Sequence, residues 1–196
     1  MLILILGIIG FALYFLYDIN SFTKQTKVLS SAFMAGTVLL AVSTVMMLVQ
    51  AWQAKAFSGF YDILLLISGL LMFMALIYCL FFALPFNETY TNPLNGRKTY
   101  TYGAYAVCRH PGVICFFLMY LFWGLAALPE NIIIYGMIFS LLNIGYAAFQ
   151  DRITFRRTFC DYDEYTEKVP FMIPTKSSIY RAAKTWGRGF DKGGDL

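Results

Sequence analysis

Five long apolar runs, residues 1–17, 29–52, 60–84, 112–128 and 132–149, limit this chain to one kind of fold. A bilayer core is about 30 Å thick and takes roughly 20 apolar residues of helix to cross. Backbone polar groups cannot be left unpaired in lipid, so runs of this kind must be helical. The chain is 59% hydrophobic and 13% charged, against roughly 25% charged in an ordinary soluble domain. The expectation is an all-α polytopic membrane protein. It has about five transmembrane helices and a cytoplasmic C-terminal helical tail.

The runs differ in character. The first, MLILILGIIGFALYFLY, lacks the basic start and cleavage site of a leader and reads as a short, retained span. The second carries Ser30, Ser31, Ala35, Gly36 and Ser43, small residues that let helices approach closely in lipid. Asp62 near the start of the third, and Glu130 ahead of the fifth, read as helix caps, and Pro85 ends the third. The polar insertion 86–102 has turn chemistry at 92–96 (NPLNG) and an Asn-Glu-Thr sequon at Asn87. Pro129-Glu130-Asn131 reads as a tight turn that returns the fifth helix antiparallel to the fourth. Residues 187–196 are Gly-rich and charged, and read as a frayed end.

Charge sets an expected orientation. With five spans, one side receives 14 of the 15 Lys and Arg residues, and the other receives Lys55 alone. The positive-inside rule then puts the Arg109-His110 loop and the tail in the cytoplasm, with the N-terminus outside. Arg152, Arg156 and Arg157 read as contacts for anionic headgroups. The basic residues form no arm interleaved with base-reading groups, so nucleic acid is not an expected partner. Cys79, Cys108, Cys115 and Cys160 form no C-x-x-C pair, which argues against a zinc or iron–sulfur site. Cys79 and Cys115 read as small buried hydrophobes.

One stretch breaks the apolar monotony: Gly103-Ala104-Tyr105-Ala106-Val107-Cys108-Arg109-His110-Pro111, which holds the only histidine. Taken alone, Arg109 reads as a snorkelling interfacial cation. The turn at 129–131 sets its expected neighbours. It predicts that the end carrying Arg109 and His110 lies near the end carrying Gln150, Asp151 and Arg152.

These residues sit in a larger pattern. Arg109-His110-Pro111 with Gly103 and Tyr105 ahead of it, then a helical hairpin, then Phe159-Cys160-Asp161-Tyr162-Asp163-Glu164-Tyr165 and Val169-Pro170-Phe171-Met172-Ile173-Pro174, resembles the isoprenylcysteine carboxyl methyltransferase and phospholipid methyltransferase superfamily of integral membrane enzymes. The resemblance covers roughly residues 60 to 175. It departs from the family pattern at Val113 (usually Tyr), at Cys115 and Cys160 (usually Gly), and at Gln150-Asp151, where the family has two acids. The spacing from Phe159 to Tyr162 is also one residue short.

The resemblance implies S-adenosylmethionine as cofactor and methyl transfer to a lipophilic acceptor: a lipid amine, a hydroxyl, a thiol or a prenylcysteine carboxylate. It implies cofactor-binding residues Gly103, Tyr105, Arg109, His110, Pro111, Gln150, Asp151, Tyr162 and Tyr165, with Arg109, His110 and Asp151 as the catalytic set. Arg109 suits the cofactor carboxylate by a two-pronged bond. The tyrosines suit adenine or the sulfonium. Two alternatives remain: a sterol-type NADPH-dependent membrane reductase, and a non-catalytic membrane protein with a degenerate cofactor site. The expected organisation is 1–59 (helices one and two), 60–175 (methyltransferase-like core) and 176–196 (polar tail).

Overall fold

In the computed structural model of the chain, residues 1–23, 25–83, 97–128 and 131–186 are described. The helices are α1 (Leu2–Phe22), α2 (Lys27–Ser30), α3 (Ala32–Gln53) and α4 (Phe60–Ile77), which runs into a π turn (Tyr78–Phe82). Then come α5 (Ala104–Val107), α6 (Pro111–Ala126) and α7 (Ile132–Phe149), which continues through a second π turn (Gln150–Thr154). Three short helices close the chain: α8 (Phe155–Thr158), α9 (Tyr162–Lys168) and α10 (Lys176–Thr185). Among the described residues there is one isolated bridge, Arg97 with Phe159, and no strand.

The protein is an all-α, polytopic membrane protein. Four helical stretches are long and apolar enough to cross a bilayer: Leu2–Phe22, Lys27–Gln53, Phe60–Phe82 and Ile132–Thr158. The fourth apolar run forms Pro111–Ala126, only 16 residues, which at 1.5 Å per residue rises about 24 Å. The expected caps and turns at Pro85, Asn87, 92–96 and Pro129-Glu130, and the end at 187–196, lie outside the described residues.

Two helix ends differ from the sequence expectation. The first helix does not stop at Tyr17 but continues to Phe22. Asp18 and Asn20, just past the first apolar run, are buried in it. The Asn20 side chain takes the Thr26 N–H at 2.8 Å and gives its own N–H to the Thr26 carbonyl at 3.1 Å, which closes the turn into α2. The fifth helix likewise does not end at Phe149. No glycine or proline lies between Gly145 and Pro170, so nothing breaks it, and it runs to Thr158 through the π turn. Gln150 and Asp151 are therefore inside a helix rather than at the start of a polar tail. Asp62 does cap: its carboxylate accepts the Gly59 N–H at 2.8 Å.

The chain divides into two compact units, with boundaries inside α4 and α6. The first comprises Met1–Met72 and Phe116–Thr154. Its helices meet through small residues. A Cβ on Gly36 would lie 2.6 Å from the Gly10 carbonyl oxygen, so α1 and α3 touch backbone to backbone. Beside that contact the Tyr14 hydroxyl donates to Thr37 (3.1 Å) and buried Ser43 donates to the Ile3 carbonyl (2.8 Å). A Cβ on Gly124 would lie 2.7 Å from the Ile133 Cα, and one on Gly136 would lie 2.8 Å from the Tyr120 Cβ. The opposite order of these contacts makes α6 and α7 antiparallel, as the turn at 129–131 predicted. Gly69 leaves room for the Trp123 ring, whose N–H donates to the Leu66 carbonyl at 3.2 Å. The large side chains left outward, such as Leu71, Met34 and Leu141, suit a lipid surround.

The second unit comprises Phe73–Cys115 and Phe155–Leu196. Its core is Tyr162, Tyr165 and Val169, with Phe155 and Phe159 packed on them.

Candidate functional site

The second unit holds both halves of the sequence pattern, and they bind each other directly. The Arg109 N–H donates to the Pro170 carbonyl at 2.9 Å, and the His110 N–H to the Phe171 carbonyl at 3.3 Å. The Arg109 guanidinium donates from one nitrogen to the Val169 carbonyl at 2.6 Å and the Thr166 carbonyl at 3.2 Å. These carbonyls lie at the C-terminal end of α9, where a helix presents unpaired oxygens and favours a cation. The guanidinium also stands over the Phe171 ring, 5.8 Å from its centre.

His110 is buried. Its ring lies parallel to Phe155 at 5.9 Å and edge-on to Phe171 at 5.0 Å. Pro111 begins α6, where its missing N–H costs nothing. The Val169-Pro170-Phe171 segment thus serves as an acceptor rail for the Arg-His-Pro loop, over about 60 residues of intervening chain.

The loop ahead is fixed at three points. Gly103 has φ +56, a left-handed value that disfavours any side chain. Its N–H donates to the Thr185 hydroxyl at 3.3 Å, and a Cβ placed on it would meet nothing within 4 Å. Tyr105 donates its hydroxyl to the Cys79 carbonyl at 3.0 Å and receives, on its own carbonyl, the Tyr165 hydroxyl at 2.7 Å.

Tyr162 and Tyr165 stand in the core of the unit, 3% and 4% exposed. Tyr162 packs on Phe155 and Phe159, and burial holds the Tyr165 hydroxyl well above the usual tyrosine range. Their rings here serve packing. Cys108 is fully buried beside Arg109, and burial pushes its thiol up to about 11.

The sequence did not single out the clasp that joins 97–99 to 159–161. The Cys160 N–H donates to the Arg97 carbonyl at 2.9 Å, and the Asp161 carboxylate accepts both the Thr99 N–H (2.8 Å) and its hydroxyl (2.5 Å). The signal available was Asp161 just ahead of a helix, a capping position. Arg156, expected to face headgroups, pairs instead with Asp163 at 2.5 Å on the surface.

Gln150 and Asp151 belong to the first unit, on the second π turn. Asp151 is buried. Gln150 donates to the Tyr146 hydroxyl at 3.0 Å. One turn further on, Thr154 donates to Asp18 at 3.4 Å. Asp18 was missed because one acid at the end of an apolar run looks like a loop residue. A buried carboxylate on a membrane helix marks a functional position more often than a structural one, and π turns concentrate at such positions.

With this geometry in hand, comparison with known proteins gives two curated relatives. The chain is 31% identical over 99 residues to the cobalt-zinc-cadmium resistance protein CzcN of Cupriavidus metallidurans, covering 47% of this chain and 44% of that protein. It is 30% identical over 99 residues to the nickel-cobalt-cadmium resistance protein NccN of Alcaligenes xylosoxydans xylosoxydans, covering 47% and 45%. The chain thus spans a little under half the length of the curated relatives it matches. No protein-family model matches the chain, and no solved structure does.

Arg109 and His110 lie adjacent on one loop, with the Arg109 guanidinium engaged by the Val169 and Thr166 carbonyls. The open space at Gly103 lets a ligand approach the backbone.

Proposed function

We propose that the protein transfers a methyl group from S-adenosylmethionine to a lipophilic acceptor at the membrane face. The observation that carries this reading is the pairing of the Arg-His-Pro block with the Val-Pro block through Arg109 and His110. Neither block has an apolar-periodicity reason to exist, and their mutual binding is what a two-part site requires. When bound, the cofactor would supply an electrophilic methyl on a sulfonium. The chain's own residues bind and orient. Arg109 and His110 would hold the carboxylate end, with Gly103 and Tyr105 shaping the loop beside it. In-line displacement depends mainly on alignment and charge matching, so few residues are needed for proton transfer. The acceptor would enter from lipid between helices.

The test uses purified protein in vesicles made from extracted membrane lipid, with methyl-tritiated S-adenosylmethionine. Label accumulating in the chloroform-extractable fraction, and not with Arg109→Ala, supports the reading. No transfer to any lipid fraction while NADPH is oxidised would replace it with a reductase. Orientation follows the basic residues, with Arg109 and the tail cytoplasmic. An impermeant thiol reagent should then label Lys55→Cys from outside and spare Lys176→Cys.

A second reading is favoured by the two relatives, both named as metal-resistance proteins. In it the methylated product contributes to tolerance of cobalt, zinc, nickel or cadmium. A strain lacking the gene should then be more sensitive to these ions, and a gene copy carrying Arg109→Ala should not restore growth.

A further inference from the structure

All four cysteines lie in the second unit, and Cys79, Cys108 and Cys115 are near one another. Cys79 lies in the first π turn, 5% exposed. Cys115 lies about one turn inside α6 and is partly exposed. Their thiols, 36 residues apart in sequence, lie close enough to interact. Cys108 is nearby, but its sulfur is hydrogen-bonded to the His110 backbone.

The pairing is built in. α6 packs on the π turn at Gly112: a Cβ there would be 3.4 Å from Leu76 and 3.9 Å from the Cys79 Cβ. Cys115, three residues on, falls on the same face of the helix and so meets the Cys79 thiol. The π turn is itself pinned, because the Tyr105 hydroxyl bonds the Cys79 carbonyl at 3.0 Å. A free cysteine is ordinarily a small hydrophobe. Two thiols from separate segments, facing each other with one side open, form a donor pair.

We propose that Cys79 and Cys115 form a two-sulfur site for a divalent thiophilic metal ion, of which mercury(II) is the type. Thiolates select soft ions. The surroundings select the charge: a divalent ion with two thiolates is neutral, and a low-dielectric site penalises any net charge. Binding balances as one M²⁺ and two thiols giving M(SR)₂ and two protons, with no change of oxidation state. Two sulfurs satisfy an ion that accepts linear coordination. This inference goes beyond methyl transfer and does not rest on it.

The experiment loads the reduced, detergent-solubilised full chain with one equivalent of Hg²⁺. It is then dialysed against excess 2-mercaptoethanol, and the retained metal is measured by elemental analysis. Two sulfurs held at high effective concentration bind about 100-fold more tightly than one. Wild type and Cys160→Ser should therefore retain close to one ion per chain. Cys79→Ser and Cys115→Ser should lose it, with affinity down about 100-fold. Cys79→Ala and Cys115→Ala, checked by thermal melting, repeat the test should a serine variant fail to fold. Three results would overturn the proposal: no retention by wild type, equal retention by the Cys79 and Cys115 variants, or a Cys79–Cys115 disulfide in protein isolated without oxidant.

Discussion

The first unit is joined by surfaces and the second by named bonds. In the first, Gly10, Gly36, Gly124 and Gly136 let helix backbones meet, and Phe11, Tyr120 and Phe139 fill what remains. In the second, Arg109, His110, Asp161 and Thr185 each bind or are bound by backbone groups far away in sequence. Lipid explains the difference. Where tails compete for apolar surface, only close packing and internal hydrogen bonds favour one helix partner over another. Loops outside lipid must instead be fixed point by point. The lesson is that the two units should fail differently under mutation.

The largest effect belongs to the first unit. Gly36→Val should cost about 3 kcal/mol, because its Cβ would sit 2.6 Å from a backbone oxygen that cannot move aside. Gly112→Ala in the second unit should be nearly silent, since its Cβ would meet side chains no closer than 3.4 Å. Thermal melting in one detergent compares them. Equal losses would break the contrast.

Next comes Arg109→Ala, which removes charged hydrogen bonds to the Val169 and Thr166 carbonyls. The expected loss is about 2 kcal/mol. It should appear as faster proteolysis within 160–186, with cleavage of the first unit unchanged.

Gly103→Ala should cost about 1–2 kcal/mol, the penalty for a left-handed backbone at an L-residue. Because no atom waits at the Cβ position, Gly103→Asn, which tolerates such angles better, should recover part of it.

The smallest effect is chemical. The Cys108 thiol, pushed up to about 11 chiefly by burial, stays protonated at pH 8 and should resist iodoacetamide while exposed Cys160 reacts. The folded value exceeds the ordinary thiol value of 9.0. The folded state therefore holds this proton more tightly, and its stabilising contribution is complete below pH 9. It falls as pH rises toward 11. Cys108→Ser should flatten that part of the stability curve.

These contrasts also explain what was legible in the sequence. The spans were visible because lipid imposes composition over whole stretches, and their bounds came within a few residues wherever a glycine or proline marked them. Asp18 and Asn20 misled at a helix end, because a buried polar residue with a partner looks in sequence like an exposed one without. Arg109 and His110 were legible as a motif. Their partners were not, since the bonds run to main-chain carbonyls, and every residue has one of those. The Cys79–Cys115 contact was hidden for another reason: spacing along the chain says nothing about which positions of two separate helices meet.

The central claim is that the paired blocks of the second unit hold S-adenosylmethionine. Calorimetric titration of the detergent-solubilised protein with S-adenosylhomocysteine tests it most directly. The account predicts saturable one-site binding, at least tenfold weaker in Arg109→Ala, as follows from losing about 1.4 kcal/mol or more of contact. Absence of heat for the wild type, in a preparation whose melting shows it to be folded, would contradict it.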